Sequence, residues 1–338
     1  MNTLTIYESI AIKYLRAVAT VLIVACHFSQ AFNNHWAYVF DIGVPLFFIM
    51  SGYLYGFKQI ESWDSFFFKR WKKLYIPYII FFVFIVFALK IFHIEKIRLE
   101  EVIKVIYLCQ GYIGTAFTGA GQIWFITAIF ACYWITPVLQ KITLSGGGKF
   151  VGIILIVISL ITFLLLTFNY STSPVARWYS WFFNYAVGYF LSRTKESIKY
   201  LYFGISTVFL IIVLSILSWG DLLNWNTWIS ISFHAFSAHV VFLAFIFGSK
   251  VLKPLKVLMP VSLIEVYSYY IYFVHYPFTL GPWSIIGVTN NVGLDIVLLI
   301  IVIAITTAIL FYLSKYVEKA LDWVLTNNKK VGSNRVEG

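Results

Sequence analysis

Apolar residues in this chain come in long unbroken blocks, not in the short alternating or one-faced patterns of a water-soluble fold. Blocks of roughly 18 to 25 residues recur from end to end, each long enough to cross a bilayer as a helix. They predict spans at 11–32, 36–57, 75–94, 122–140, 149–168, 175–192, 199–218, 228–248, 266–284 and 294–314. No polar stretch between them is long enough to build a core of its own. The expectation is therefore an all-α, polytopic transmembrane helical bundle of about ten spans, a single membrane domain over 1–338 with a short tail from about 315. The longest connection, about 95–121, has apolar Leu99, Val102, Ile103 and Ile106 at helical spacing, which predicts a short helix lying on the interface. A glycine-rich run (Gly111, Gly114, Gly119, Gly121) follows it. The Ser145-Gly146-Gly147-Gly148-Lys149 turn lacks the frame and preceding strand of a phosphate loop and reads as a flexible linker. The first block contains Arg16 and has no basic region before it, so it reads as a retained span and not a cleaved signal.

Composition agrees and charge adds orientation. Of 338 residues, 61% are hydrophobic and only 12% charged, against about a quarter charged in a soluble domain. The net charge of +11 raises the question of nucleic acid, and its distribution answers it. With the N-terminus inside, nineteen basic residues fall on the cytoplasmic side, among them Lys69, Arg70, Lys72, Lys73, Arg193, Lys199, Lys253, Lys256 and Arg335. Only five (Lys90, Lys96, Arg98, Lys104, Arg177) fall outside. That asymmetry is the positive-inside signature. It places both termini in the cytoplasm, fits the inner cell membrane, and requires no nucleic-acid partner. Three scattered cysteines (Cys26, Cys109, Cys132) suggest neither a disulfide framework nor a metal site.

Ionisable groups inside a membrane are rare and costly, so each asks for a reason. Arg16 and His27 are eleven residues apart on the first span. On a helix that is about 20° short of facing the same way, with a rise of about 16 Å, so they share one stripe. Each alone reads as a snorkelling arginine or a histidine bonded to a neighbouring helix. Aligned, they read as the wall of a polar passage, in which the imidazole could serve as general base towards a hydroxyl. The second span carries Asp41 at about the depth of His27, either to orient the imidazole or as a solvated helix start. Gly43, Ser51 and Gly52 permit close helix approach, and Pro45 suggests a locally opened backbone. His234 and His239 are five apart, about 140° around the helix, and cannot form one site. Trp178, Tyr179 and Trp181, near the outer end of the sixth span, have the rings to stack on sugars.

Several of these residues fall into an ordered set. Arg16-x10-His27 is followed by Gly43-Val44, Phe47-Phe48-x2-Ser51-Gly52-Tyr53-Leu54, then Arg70-Trp71-Lys72-Lys73 before Pro77. Ile123-Trp124-Phe125, Pro137 and Ser268-x2-Ile271-Tyr272-x2-His275-x-Pro277 complete it. The set resembles the acyltransferase-3 family of membrane O-acyltransferases over essentially the whole chain. It departs from the family pattern at Tyr14, where an acidic residue is frequent, at Lys73 in place of a second arginine, and at Gln122, often histidine. The resemblance implies transfer of an acyl group, usually acetyl, from acyl-CoA to a hydroxyl of an envelope or lipid-linked glycan. It implies His27 and Arg16 as catalytic residues and Arg70 and Lys73 as ligands of the CoA phosphates. Asp41, Ser51, Trp124, Tyr272 and His275 would orient groups or line the passage. No metal and no permanently bound cofactor is expected; acyl-CoA is a co-substrate, and the remaining partners are the glycan acceptor, membrane lipid and, in a homo-oligomer, a second copy of the chain. The competing expectation is a transporter or flippase for a lipid-linked sugar, in which the same passage conducts without chemistry.

Overall fold

Every predicted span contains a helix in a computed structural model of the chain, which describes residues 3–110, 117–168, 174–218, 220–221, 227–251 and 257–334. Gly111, Gly114, Lys253, Lys256 and Arg335 lie outside the described residues. Helix α1, Ile6–Ala31, begins at a reciprocal cap. Thr5 Oγ1 accepts from the Glu8 amide at 3.2 Å, and the Glu8 carboxylate accepts from the Thr5 amide at 2.9 Å. The second span is two helices, α2 (Trp36–Phe40) and α3 (Gly43–Gly56), separated at Asp41-Ile42. The opening that Pro45 predicts thus falls just ahead of it. The proline itself sits in the first turn of α3, where its missing N–H would have no intrahelical partner anyway.

Helix α4, Trp63–Ile91, starts well before the predicted 75 because Ser62 caps it and Asp64 complements its positive end. Helix α5, Leu99–Ile106, forms where a short helix was expected, with Leu99, Ile103 and Ile106 exposed. A 3₁₀ turn at Gly121–Ile123 leads into α6, Trp124–Thr167, which bends at Gly147. Gly147 has φ of 67°, a left-handed conformation open to glycine, so the glycine-rich linker is a tight turn between two helical arms. Helices α7 (Pro174–Arg193), α8 (Glu196–Ile216), α9 (Trp228–Val251), α10 (Met259–Thr279) and α11 (Val292–Asn334) complete the chain.

Among the described residues, seven segments are long and apolar enough to cross a membrane, and one of them is the bent α6 with its two arms. Helices α7 and α10 are of spanning length but carry groups such as Arg177 and Asn184, or Glu265 and His275. The protein is an all-α, multi-pass membrane protein.

The chain forms two compact units. The first comprises Met1–Glu61 and Ala128–Ser268, the second Ser62–Thr127 and Tyr269–Gly338. In the first, glycines set the closest helix approach. A Cβ placed on Gly52 would lie 1.9 Å from the Tyr185 carbonyl oxygen, and one on Gly188 would lie 2.0 Å from the Ile49 oxygen. Gly56 faces Ser192 in the same way. Gly52-x3-Gly56 on α3 therefore meshes with Gly188-x3-Ser192 on α7, the small-residue seam that brings membrane helices into backbone contact. Gly43 makes the corresponding approach to Ala19 on α1.

In the second unit, α4 is tied at several levels. Tyr75 and Tyr78 donate their hydroxyls to Ile106 O and Val105 O at 2.8 and 2.7 Å, satisfying carbonyls that end α5. Lys72 reaches both carboxylate oxygens of Asp322 on α11 at 2.7 and 2.9 Å.

Candidate functional site

The first unit holds Arg16, His27, Asp41 and Ser51. Arg16 and His27 lie on the uninterrupted α1, so the stripe inferred from their spacing is preserved, and both are half-buried. Arg16 donates from Nη1 to Glu265 Oε1 on α10. Their side chains are 30% and 12% exposed, so this ion pair sits largely out of water. A guanidinium cannot shed its proton to escape burial, which makes a fixed counter-charge the way to hold one there. Glu265 fills the role left open by Tyr14. The Tyr14 hydroxyl instead accepts from the Leu258 amide at 3.4 Å, in the segment that enters α10.

A second buried charge cluster anchors the start of α1. Glu8 accepts from the Tyr53 hydroxyl at 2.6 Å and pairs with Lys199 Nζ at 3.3 Å, and Lys199 also donates to Tyr53 at 3.1 Å. Glu8 and Lys199 are each 3% exposed. Lys199, one of the basic residues that the charge count assigned to the cytoplasmic side, is thus a buried ion-pair partner joining α1, α3 and α8.

At the His27 end of the unit, Asp41 occupies the break between α2 and α3. Its Oδ2 lies 3.9 Å from His234 Nδ1 on α9, and the Arg177 guanidinium on α7 and the Cys26 thiol on α1 are within electrostatic reach. His234 donates from Nε2 to the Tyr38 carbonyl at 2.7 Å, which fixes the ring and directs Nδ1 towards Asp41. The carboxylate that the sequence offers to His27 therefore lies against a second imidazole. His239, as its spacing requires, faces elsewhere, bonded to Tyr202 and Asn184 at 2.9 Å each in a fully buried network. Ser51 is half-buried on α3, next to the glycine seam.

The second unit holds Arg70, Lys73, Trp124, Tyr272 and His275. Arg70 and Lys73 fall in the third turn of α4, not ahead of it, the first half-buried and the second exposed. Two motifs meet in this unit. Gln122 donates to Phe273 O at 2.6 Å, and the Tyr272 hydroxyl donates to Gln122 O. Phe125 packs on the Tyr272 ring, with centroids 5.1 Å apart, and half-buried Trp124 lies edge-on to Phe125. His275 is fully buried and donates from Nδ1 to Ile271 O at 3.1 Å, leaving Nε2 as the acceptor nitrogen of the neutral ring. On the same stretch of helix, Val274, Pro277 and Phe278 line an apolar cavity of about 340 Å³ shared with α4 and α11. Its one hydroxyl, on Thr306, is bonded back to Val302 O, so the cavity offers no polar recognition.

Glu265, His234, Arg177 and the Glu8–Lys199 pair are absent from the sequence-based site. The charge count placed Arg177 outside, and Glu265 falls just ahead of the predicted 266–284 span; nothing in the sequence names a partner 249 residues away. Among the described residues, no group of three or more His, Cys, Asp or Glu side chains is placed to hold a metal ion.

A family model described as an acyltransferase domain, Acyl_transf_3, matches residues 9–314. The chain belongs to the acyltransferase-3 family, and it is a membrane acyltransferase. No curated protein and no solved structure matches the chain.

Proposed function

We propose that the protein is an O-acyltransferase of the inner cell membrane that moves an acyl group, by default acetyl, from acyl-CoA to a hydroxyl of a cell-surface or lipid-linked glycan. The observation that carries this reading is the Arg16–His27 stripe, intact on one helix of an acyltransferase-3 domain and with Arg16 held by Glu265. In the reaction, the His27 imidazole takes the proton of the acceptor hydroxyl as its oxygen attacks the thioester carbonyl. Collapse of the tetrahedral adduct breaks the carbon–sulfur bond, and the CoA thiolate leaves and takes the proton back from the imidazolium. The products are an ester and free CoA thiol, and the imidazole is returned unchanged. Arg16 supplies fixed positive charge for the oxyanion or for the anionic donor, and it remains charged throughout. Arg70 and Lys73, one turn apart on α4, take the donor's phosphates; the lysine contributes a point charge where an arginine would bind in bidentate fashion.

The test replaces His27 with Ala, verifies insertion with topology reporters, and weighs the host's surface glycan. Loss of a defined acyl increment with insertion intact is the expected result, and the mass lost names the acyl group. A glycan that keeps its acyl groups would remove His27 from the mechanism. A glycan missing from the surface altogether would favour transport over chemistry.

A further inference from the structure

The Proposed function leaves the acceptor without a binding site, and the end of the first unit that carries Asp41 has the chemistry for one. Three side chains come together there electrostatically: Asp41 in the break between α2 and α3, His234 on α9 and Arg177 on α7. Asp41 Oδ2 and His234 Nδ1 stand 3.9 Å apart, beyond a direct hydrogen bond, and both are acceptors while the ring is neutral. The Arg177 guanidinium, which carries donors only, lies within electrostatic reach of Asp41. Mixed acceptors and donors at fixed positions match sugar hydroxyls, each of which donates one proton and accepts through its oxygen.

The aromatic surroundings point the same way. Trp181 follows Arg177 by one helical turn and therefore shares its face of α7. It stacks on Phe48 of α3, with centroids 6.1 Å apart, while Trp178 stands edge-on to it at 4.7 Å. Both tryptophans are half-buried, so each keeps ring surface uncovered beside the charged cluster. Cys26, within electrostatic reach of Asp41, is the residue before His27 on α1, so the cluster lies at the depth of the imidazole that receives the hydroxyl proton.

We infer that Asp41, His234 and Arg177, with Trp178 and Trp181 as a stacking wall, form the saccharide subsite that presents the acceptor hydroxyl. This rests on the O-acyltransferase reading. The residues are positioning groups: they bind the sugar and do not exchange protons with the reacting oxygen.

The experiment uses full-length protein in nanodiscs, radiolabelled acetyl-CoA, and fragments of the host's own envelope glycan, released and chemically de-O-acylated, as acceptor. Wild type, His234→Gln and Arg177→Lys are compared, with thermal melting to verify folding. The expected result is an acceptor KM raised about tenfold in each variant, with the acetyl-CoA KM held within twofold. A purely structural ion cluster would instead lower kcat or the melting point and leave the acceptor KM in place, and that result would overturn the assignment. Should His234→Gln fail to fold, Arg177→Lys, which keeps the charge and loses the planar fork, decides by the same KM comparison. If wild type transfers to no fragment yet still releases CoA thiol, the subsite falls while donor chemistry stands; if it does neither, the O-acyltransferase reading falls first.

Discussion

Gly52→Ala offers the most direct measure of how tightly the first unit is built. The added methyl would sit 1.9 Å from Tyr185 O and 2.9 Å from both Tyr185 C and Tyr189 N, all backbone atoms that no rotamer change can move. Ordinary carbon contacts begin near 3.4 Å, so α3 and α7 must part by more than 1 Å along the Gly52–Gly56 and Gly188–Ser192 seam. Overpacking of this kind costs about 1–3 kcal/mol, and the rigid backbone puts this site at the upper end. The measurement is a thermal melt followed by tryptophan fluorescence in a fixed detergent, with Gly204→Ala on α8 as the control. A Cβ at Gly204 meets nothing within 4 Å, so its change should be neutral or slightly stabilising. Gly188→Ala should match Gly52→Ala, since its Cβ would lie 2.0 Å from Ile49 O. The double variant should cost less than the two single costs added together, because one parting of the helices accommodates both methyls. A Gly52→Ala protein that melts with wild type, or a double variant that is strictly additive, would refute the seam.

Three further substitutions probe the buried charges. Lys199→Met should destabilise by about 3–5 kcal/mol, because it strands the Glu8 carboxylate, which is 3% exposed, whereas Glu8→Gln leaves Lys199 its second partner, Glu196 at 2.9 Å, and should cost less. Combining them should recover most of that loss in the same melt, and two additive losses would contradict the pairing. Glu265→Gln keeps a hydrogen bond to Arg16 but removes its counter-charge. At 30% exposure of the arginine the stability cost is expected to be small, about 1 kcal/mol, while turnover with acyl-CoA falls at least tenfold as Arg16 loses its fixed position. Unchanged turnover would show that Glu265 does not position Arg16 for the reaction.

Most of the fold was legible because the bilayer imposes one rule on every span, and apolar length reads it directly. The misplacements have a common origin. Helix α4 begins at Trp63 and α11 runs to Asn334, since a helix need not stop where hydropathy does. Ser62 caps α4, and Lys72 of α4 pairs with Asp322 of α11, outside the apolar windows of both helices. Spacing along one helix was also legible: it put Arg16 and His27 on one stripe and separated His234 from His239, which meet different partners in the structure. What spacing cannot supply is the facing helix. Asp41 was read against His27 because both lie in the first two spans; the structure adds His234 from the eighth. Gln122, read as a departure from a family pattern, is the residue that ties the fourth-span motif to Tyr272 and Phe273.

The Glu8–Lys199 pair also has a place in time. A ribosome adds about 5–20 residues per second, and the two partners are 191 residues apart, so Lys199 emerges about 10–40 s after Glu8. Throughout that interval α1 resides in the membrane with its acidic anchor short of its cation, while the whole of Ser62–Thr127, which belongs to the other unit, is made and inserted. The first unit is therefore begun, interrupted and resumed, and its Glu8 site is completed only when α8 arrives. A nascent chain halted before that point holds the Glu8 carboxylate at the head of its first helix without the Lys199 cation that pairs with it in the finished fold.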